Sequence, residues 1–434
     1  MPATMSGVHR PDRESPGERL VNIKPGLVAL PLSKSLGLRG LLIGSALRRE
    51  VVLISTSASA WELLGDDLLA GISCAKSLGS EVSISGEILG LKPADEPPGG
   101  VLAVGESGFV GRVAPACAAL SRSGNWLVEA LGTLARRGSP ALWTALADAG
   151  VALQRRPTWV SELSAVSGVG QVEIQDPRSS QEVSALVIAL AAAGGGSLLV
   201  KGDIPSRPYL EMTLATLEGF GVEISWSGST CVVSGPAAET SVRLSVEVDA
   251  SAAAVALAAG CLANVQVEVP APHTHSLQGD WRIVEHLRAF GCQVELSRGR
   301  LIACGPPSSS ANLDLSAEPD LAPVLAVVAA AASMSGSGPS LLSGLGTLDA
   351  KESPRGRVLA SGLIEAGFEC VWSGDSLEIS GQPSALGPVV LDSYDDHRMA
   401  FAFALLGVIL PNVWVSKGDC IAKSWPGFWS SMGE

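Results

Sequence analysis

The sequence predicts a two-domain α/β protein in which each domain holds three copies of one structural unit. Three observations carry that prediction. A helix-glycine-strand signal recurs about every seventy residues, an alanine-rich apolar helix lies between successive signals, and the chain is 434 residues long. A chain of that length exceeds what one hydrophobic core serves well, so two domains with substantial interiors are expected.

The recurring signal reads AKSLGSEVSI, LADAGVALQ, LEGFGVEISW, LRAFGCQVEL and LIEAGFECVW. Its glycines are Gly79, Gly150, Gly221, Gly291 and Gly367, spaced 71, 71, 70 and 76 residues apart. Each follows an apolar helical pattern and precedes an alternating one, as a left-handed helix C-cap before a strand requires. Seventy residues divide the chain into six units, the last without a clear copy of the signal, and six units divide into two sets of three.

The helices between these glycines open on small polar or charged residues. In LPLSKSLGLRGLLIGSAL, residues 30–47, Ser33 or Ser35 is the expected cap, with Lys34 at the helix mouth and Ser35 and Arg39 one turn apart. ESGFVGR, ending at Arg112, opens a second helix. RSSQEVSALVIALAAAGGG opens a third with Ser179, Ser180 and Gln181, and Ser179 with Glu182 has capping-box spacing. Ser206, Arg207 and Tyr209 introduce a fourth helix, and Asp320 introduces the alanine-rich LAPVLAVVAAAA. KESPR supplies Lys351, Glu352 and Arg355, and DDHR supplies Asp396, His397 and Arg398. Helix N-termini carry free N–H groups, so cations and hydroxyls gathered at several of them make anion-binding positions.

Composition narrows the class of partner. The chain is 47% hydrophobic and 17% charged, with a formal net charge of −13 and no basic run, which argues against nucleic acid. An acidic chain that concentrates cations at helix mouths is suited to a small ligand bearing more than one phosphate or carboxylate. The eight cysteines (74, 117, 231, 261, 292, 304, 370 and 420) lie in mostly apolar surroundings without metal-ligand spacing, so they read as reduced thiols of a cytoplasmic protein with no metal. Residues 1–20 mix both charges with proline and hold no apolar signal core, so they are expected to form a flexible tail. AAAVALAAGCL and LAPVLAVVAAAA fall short of the roughly 20 apolar residues that span a bilayer, and no membrane partner is expected. No P-loop, dinucleotide fingerprint or H-E-x-x-H appears.

SKSLGLR, LLGDDLLAGISCAKSLG, ESGFVGR, SSQEVSAL, SRPYLEMTLATLEGFGVEI, DASAAAVALAA, PDLAPVLAVVAA, KESPR, YDDHRMAFAFAL and AKSWPGF occur in this order along almost the whole chain. Together they resemble the enolpyruvyl transferases, on the branch of the 3-phosphoshikimate 1-carboxyvinyltransferases (EPSP synthases). The resemblance implies an inside-out α/β barrel fold of two domains, each of three βαβαββ units about a pseudo-threefold axis. One domain would span 33–246; the other would join 21–32 to 247–434, with the active site in the interdomain cleft. It implies transfer of the enolpyruvyl group of phosphoenolpyruvate to the 5-hydroxyl of shikimate 3-phosphate, without cofactor, by a monomer.

Carried over residue by residue, the resemblance implies that Lys34, Gly108, Arg137, Gln181, Arg355, Arg398 and Lys423 hold phosphoenolpyruvate. Ser35, Arg39, Ser179, Ser180, Gln181, Ser206, Tyr209, Asp320 and Lys351 would hold shikimate 3-phosphate. Asp320 would take the hydroxyl proton, while Glu352 and Lys34 would handle the proton at the methylene carbon. The chain departs from the family's usual residues at Gly37, Leu38, Glu106, Phe109, Gly138 and Thr347. These leave two alternatives: a paralogue acting on another cyclic alcohol, or an anion-binding homologue with impaired turnover. A UDP-N-acetylglucosamine enolpyruvyl transferase is disfavoured by Ser35 after Lys34 and by the SSQ and SRPY segments.

Overall fold

The computed structural model describes residues 8–9, 23–56, 61, 64–156, 159–236, 241–383 and 387–433. The chain forms two compact units, Leu32–Glu247 and the combination of Met1–Pro31 with Val248–Glu434. Each has its own hydrophobic core.

The described strands form six sheets, five of four strands and one of three. One sheet illustrates the unit. Strands Gln171–Gln175 and Gly195–Lys201 run parallel, joined by the helix Ser180–Ala192. The helix Arg207–Gly219 then leads into the hairpin Ile224–Ser227 and Thr230–Ser234, whose second strand joins the sheet antiparallel to Gly195–Lys201. The order is βαβαββ. Parallel pairing requires a crossover, and a helix supplies it while covering the apolar face of the sheet.

Sequence-distant strands complete three of the sheets. Val242–Val246 lies parallel to Val51–Ser55, and Gly26–Leu27 pairs with Val267–Pro270. In the three-stranded sheet Val8–His9 pairs antiparallel with Val413–Ser416. Thus two residues of the segment expected as a flexible tail are in a strand, and the remainder of 1–20 lies outside the described residues.

The five signal glycines all have positive φ, between 75° and 96°. Each follows a helix: Asp66–Ser77, Pro140–Asp148, Arg207–Gly219, Ile283–Ala289 or Arg355–Glu365. At four of them the next residue donates its N–H back to the last turn: Val151 to Leu146, Val222 to Leu217, Cys292 to Leu287 and Phe368 to Leu363. These eight side chains are all buried, so the hydrogen bond and the apolar contact of a Schellman motif occur together.

Small residues let helices sit close to their neighbours. In the helix Lys34–Ala46, a Cβ added at Gly44 would lie 2.4 Å from Val51 Cγ2, and one added at Gly40 would lie 2.6 Å from Leu53 Cδ2. The helices Ala250–Ala263 and Ala322–Met334 are buried along most of their length. Among the described residues no helix is long and apolar enough to cross a membrane.

Candidate active site

Polar residues at helix starts form small groups in Leu32–Glu247 and one network in the other unit. In Leu32–Glu247 the cap of the helix Lys34–Ala46 is Ser33, which accepts from the Leu36 N–H. Ser35 is therefore inside the first turn. Lys34 Nζ lies 3.0 Å from Asp67 Oδ2 at the start of the helix Asp66–Ser77. Arg39 donates from Nε to Thr213 Oγ1 (2.9 Å), from Nη1 to the Ser35 carbonyl (2.9 Å) and from Nη2 to the Tyr209 carbonyl (2.8 Å). The Phe109 ring stacks against its guanidinium at 4.5 Å, and burial pulls the Arg39 pKa down to about 10. The resemblance made Arg39 a ligand contact. Here it is 2% exposed and ties three chain segments together, with one N–H left on each terminal nitrogen.

A second guanidinium organises the neighbouring segments. Arg112, on the helix Val110–Ser121, donates to the Gly108 carbonyl at 2.7 Å, to Gln181 Oε1 at 3.0 Å and to the Gly138 carbonyl at 3.4 Å. Arg137 Nη2 lies 3.4 Å from the Glu106 carbonyl, and a Cβ on Gly108 would be 3.8 Å from Arg137 Nη1. Gly108, Arg112, Arg137 and Gln181 are thus brought together. The Glu106 carboxylate accepts from Thr133 Oγ1 at 3.4 Å, over the start of the helix Gly132–Arg137. Gly138, one of the departures noted in the sequence, has φ 67° and ψ 179°, which proline cannot adopt.

Ser179 caps the helix Ser180–Ala192 by accepting from the Gln181 N–H. The expected capping box closes one residue earlier: Glu182 Oε2 accepts from the Arg178 N–H at 2.8 Å. Ser180 is buried. Ser206 has a left-handed backbone, φ 51°, and its carbonyl accepts from the Tyr209 N–H.

The cluster of the other unit is a continuous ion-pair network. Arg355, 1% exposed at its side chain, holds Asp396 through two bonds (2.7 and 3.0 Å), Glu352 at 2.7 Å and Asp320 at 2.8 Å. Lys423 Nζ meets the other oxygen of Glu352 at 3.1 Å. Asp320 also faces Lys351 and Arg398, each at 3.3 Å. Arg398 Nη2 donates to Ser251 Oγ at 3.1 Å, Ser251 bonds Asp280, and Arg398 Nη1 lies 4.0 Å from Asp280 Oδ2. Six residues singled out in the sequence, Asp320, Lys351, Glu352, Arg355, Arg398 and Lys423, therefore share one network.

Local structure places each member. Asp320 sits in the 3₁₀ turn Pro319–Leu321 ahead of the helix Ala322–Met334, with its side chain turned to the cations. Asp396 caps the helix His397–Ile409 through the Arg398 N–H and follows two consecutive left-handed residues, Tyr394 (φ 55°) and Asp395 (φ 57°). Lys423 ends the 3₁₀ segment Gly418–Lys423.

The electrostatics follow from these distances. Desolvation alone would raise the Asp320 carboxyl, but Arg398, Lys351 and Arg355 outweigh it and hold it well below the usual carboxylate range. Desolvation opposes the charge on Arg355, yet Asp396, Glu352 and Asp320 together raise its pKa further. Burial raises the Asp280 carboxyl, against the opposing pull of Arg398 and Ser251. Arginines that can bind bidentately, with lysines as point charges, can grip phosphate and carboxylate oxygens, and a carboxylate among them can exchange a proton with a neighbouring alcohol.

A family model described as EPSP synthase (3-phosphoshikimate 1-carboxyvinyltransferase) matches residues 22–432. The chain belongs to that family. A 3-phosphoshikimate 1-carboxyvinyltransferase of Dehalococcoides mccartyi is 32% identical over 416 residues, covering 94% of this chain and 95% of the relative. One from Methanopyrus kandleri is 32% identical over 425 residues, with the same coverage. Among solved structures, EPSP synthase from Acinetobacter baumannii superposes with a TM-score of 0.71 at 18% identity, covering 96% of both chains. The enolpyruvyl transferase NikO from Streptomyces tendae gives 0.69 at 14% identity, covering 95% of this chain and 94% of that one. The fold is accordingly the inside-out α/β fold of the EPSP synthases.

Three residues of these clusters receive no ligand or catalytic role from the sequence. Arg112 and Asp396 stand in ESGFVGR and DDHR, where position at a helix start was the available signal. Asp280, in LQGDWRIV, begins no apolar helix pattern, and nothing in the sequence sets it beside Arg398, 118 residues later.

Proposed function

We propose that the protein transfers the enolpyruvyl group of phosphoenolpyruvate to the 5-hydroxyl of shikimate 3-phosphate, releasing phosphate. The observation that carries this reading is the network in which Asp320 is faced by Arg355, Lys351 and Arg398 while Glu352 is paired with both Arg355 and Lys423. It offers cations for two anionic substrates and two carboxyl groups in different surroundings.

In this reading Arg355, Arg398 and Lys423, with Lys34, Gly108, Arg137 and Gln181, hold phosphoenolpyruvate. Ser35, Ser179, Ser180, Gln181, Ser206, Tyr209, Asp320 and Lys351 hold shikimate 3-phosphate, and Arg39 supports that set through Ser35 and Tyr209. With Arg355, Lys351 and Arg398 all beside it, Asp320 is a weak base. Substrate phosphates and carboxylates that engage those cations neutralise their field, and the proton affinity of Asp320 rises when the acceptor hydroxyl is bound. Glu352, bridged to Lys423 and assisted by Lys34, delivers a proton to the methylene carbon as the hydroxyl oxygen attacks. The tetrahedral adduct then expels phosphate and returns the proton. Cations fixed beforehand around both substrates offset their mutual repulsion and hold attack geometry.

A second reading, transfer to another cyclic alcohol, is favoured by Arg39. Three of its five N–H donors are engaged by Ser35, Thr213 and Tyr209 and Phe109 stacks on its face, so an acceptor carboxylate would find only one N–H on each terminal nitrogen.

Phosphate release from phosphoenolpyruvate, measured with and without shikimate 3-phosphate, tests the assignment. Release dependent on shikimate 3-phosphate is expected. Release only with a different cyclic alcohol would favour the second reading, and no release with any acceptor would sink both.

A further inference from the structure

Two residues before Asp320 stands another buried carboxylate, Glu318, 1% exposed, at the start of the 3₁₀ turn Pro319–Leu321. Its side chain is held from two consecutive elements, the turn Gly279–Arg282 and the helix Ile283–Ala289. Arg282 Nη1 lies 2.8 Å from Oε1 and 3.0 Å from Oε2, and His286 Nε2 lies 2.9 Å from Oε1. With a guanidinium as its ion-pair partner the carboxylate acts as an acceptor, which assigns the proton of the buried His286 ring to Nε2.

The main chain of Glu318 is anchored as well. Its N–H donates to the Leu315 carbonyl at 3.1 Å, and its carbonyl accepts from the Leu321 N–H at 3.0 Å. Pro319, the one residue between Glu318 and Asp320, has φ locked at about −65°. Few soft torsions therefore separate the anchored residue from Asp320.

The cations around Asp320 are a different kind of restraint. Arg355 meets its carboxylate at 2.8 Å, Lys351 and Arg398 each at 3.3 Å, and Arg398 Nη1 also donates to its carbonyl at 2.9 Å. These are the side chains that anionic substrates would engage, so their hold on Asp320 weakens when a ligand draws them to itself. A three-residue 3₁₀ turn has poor hydrogen-bond geometry of its own. The ties from Arg282 and His286 to Glu318 use neither those cations nor Asp320, and they remain in place. A buried ion pair adds little net stability, because desolvation offsets the attraction; what it can add is a fixed orientation.

We propose that Glu318, clamped by Arg282 and His286, is a positioning residue that keeps the Asp320 carboxylate in place for proton transfer. The proposal rests on the reading of Asp320 as the base. Glu318 touches no reacting atom in it and acts through Pro319 and the turn.

Steady-state phosphate release by the full chain, measured well below the melting temperature with phosphoenolpyruvate and shikimate 3-phosphate, tests this. Glu318→Gln keeps the size of the side chain but turns one acceptor oxygen into an amide that opposes the donors of Arg282 and His286. Its kcat should fall by about 10- to 100-fold, as a small misplacement of a catalytic group allows, with a smaller change in KM for phosphoenolpyruvate. His286→Leu should lower kcat in the same way, and His286→Gln, which keeps a donor, should restore most of it. An unchanged kcat in Glu318→Gln, whatever its melting temperature, or equal kcat in the two His286 variants, would overturn the proposal alone. No phosphate release by the wild type with any acceptor, or near-normal turnover of Asp320→Asn, would overturn the reading of Asp320 as the base and this inference with it. Should Glu318→Gln not fold, the comparison of His286→Leu with His286→Gln decides on the same terms.

Discussion

Arg355 and Asp396 form a two-point ion pair hidden from solvent: Nε to Oδ2 is 2.7 Å, Nη2 to Oδ1 is 3.0 Å, and the side chains are 1% and 0% exposed. Asp396 also accepts from the Ser353 N–H and hydroxyl and caps the following helix. One carboxylate thus fixes the orientation of the guanidinium and the start of the helix that carries Arg398.

Asp396→Ala should therefore destabilise the protein by about 3–5 kcal/mol, the usual cost of stranding a buried charge. Urea unfolding midpoints check this, and a midpoint equal to wild type would mean that Glu352 and Asp320 suffice to hold Arg355.

Asp320→Asn keeps the shape of the side chain and removes its basicity. Turnover in the phosphate-release assay should fall by about 10²–10⁴-fold, while calorimetry still detects shikimate 3-phosphate binding. Near-normal turnover would place the base elsewhere.

Asp320 and Asp280 predict opposite pH dependences of stability. The folded-state pKa of Asp320 is depressed, so its contribution is present above the unfolded carboxylate pKa of about 3.9 and disappears as pH falls through its folded value. That of Asp280 is raised, so its contribution is complete below about pH 3.9 and is lost as pH rises through its folded value. Between about pH 2 and 8, relative to wild type, Asp280→Asn should gain stability as pH climbs past about 4, whereas Asp320→Asn should lose it as pH climbs towards about 4 and stay level above. Melting temperatures across that range would contradict the assignment if the two variants moved together.

Gly138 occupies a backbone region, φ 67° and ψ 179°, that is almost restricted to glycine. Gly138→Ala should cost about 1–3 kcal/mol, and Gly138→Pro more, because proline fixes φ near −65°. Since Arg112 donates to the Gly138 carbonyl, both changes should also raise KM for phosphoenolpyruvate more than they lower kcat. Unaltered melting and kinetics in the proline variant would show that this turn can take another conformation.

Much of the fold was legible because its signals are short. A left-handed glycine after an apolar helix depends on a handful of neighbouring residues, and Gly79, Gly150, Gly221, Gly291 and Gly367 mark the βαβαββ periodicity for that reason. The choice of Ser33 over Ser35 as a cap and the placement of Asp320 in a 3₁₀ turn were less legible, because adjacent residues compete for one local role. The strands that complete the first sheet, Val51–Ser55 and Val242–Val246, carry no mark of each other in the sequence.

By itself, then, the sequence determined the α/β class, the sixfold repeat, the helix starts where cations and hydroxyls collect, and the family to which the chain is similar. Only the tertiary structure decided how those side chains are used. It joined Arg39 to Thr213 across 174 residues and Arg398 to Asp320 across 78, and set Asp280 where burial and two carboxylates surround it. Helix caps and turns obey backbone preferences that act over a few residues, whereas ion pairing and desolvation depend on distances that exist only once the chain has folded.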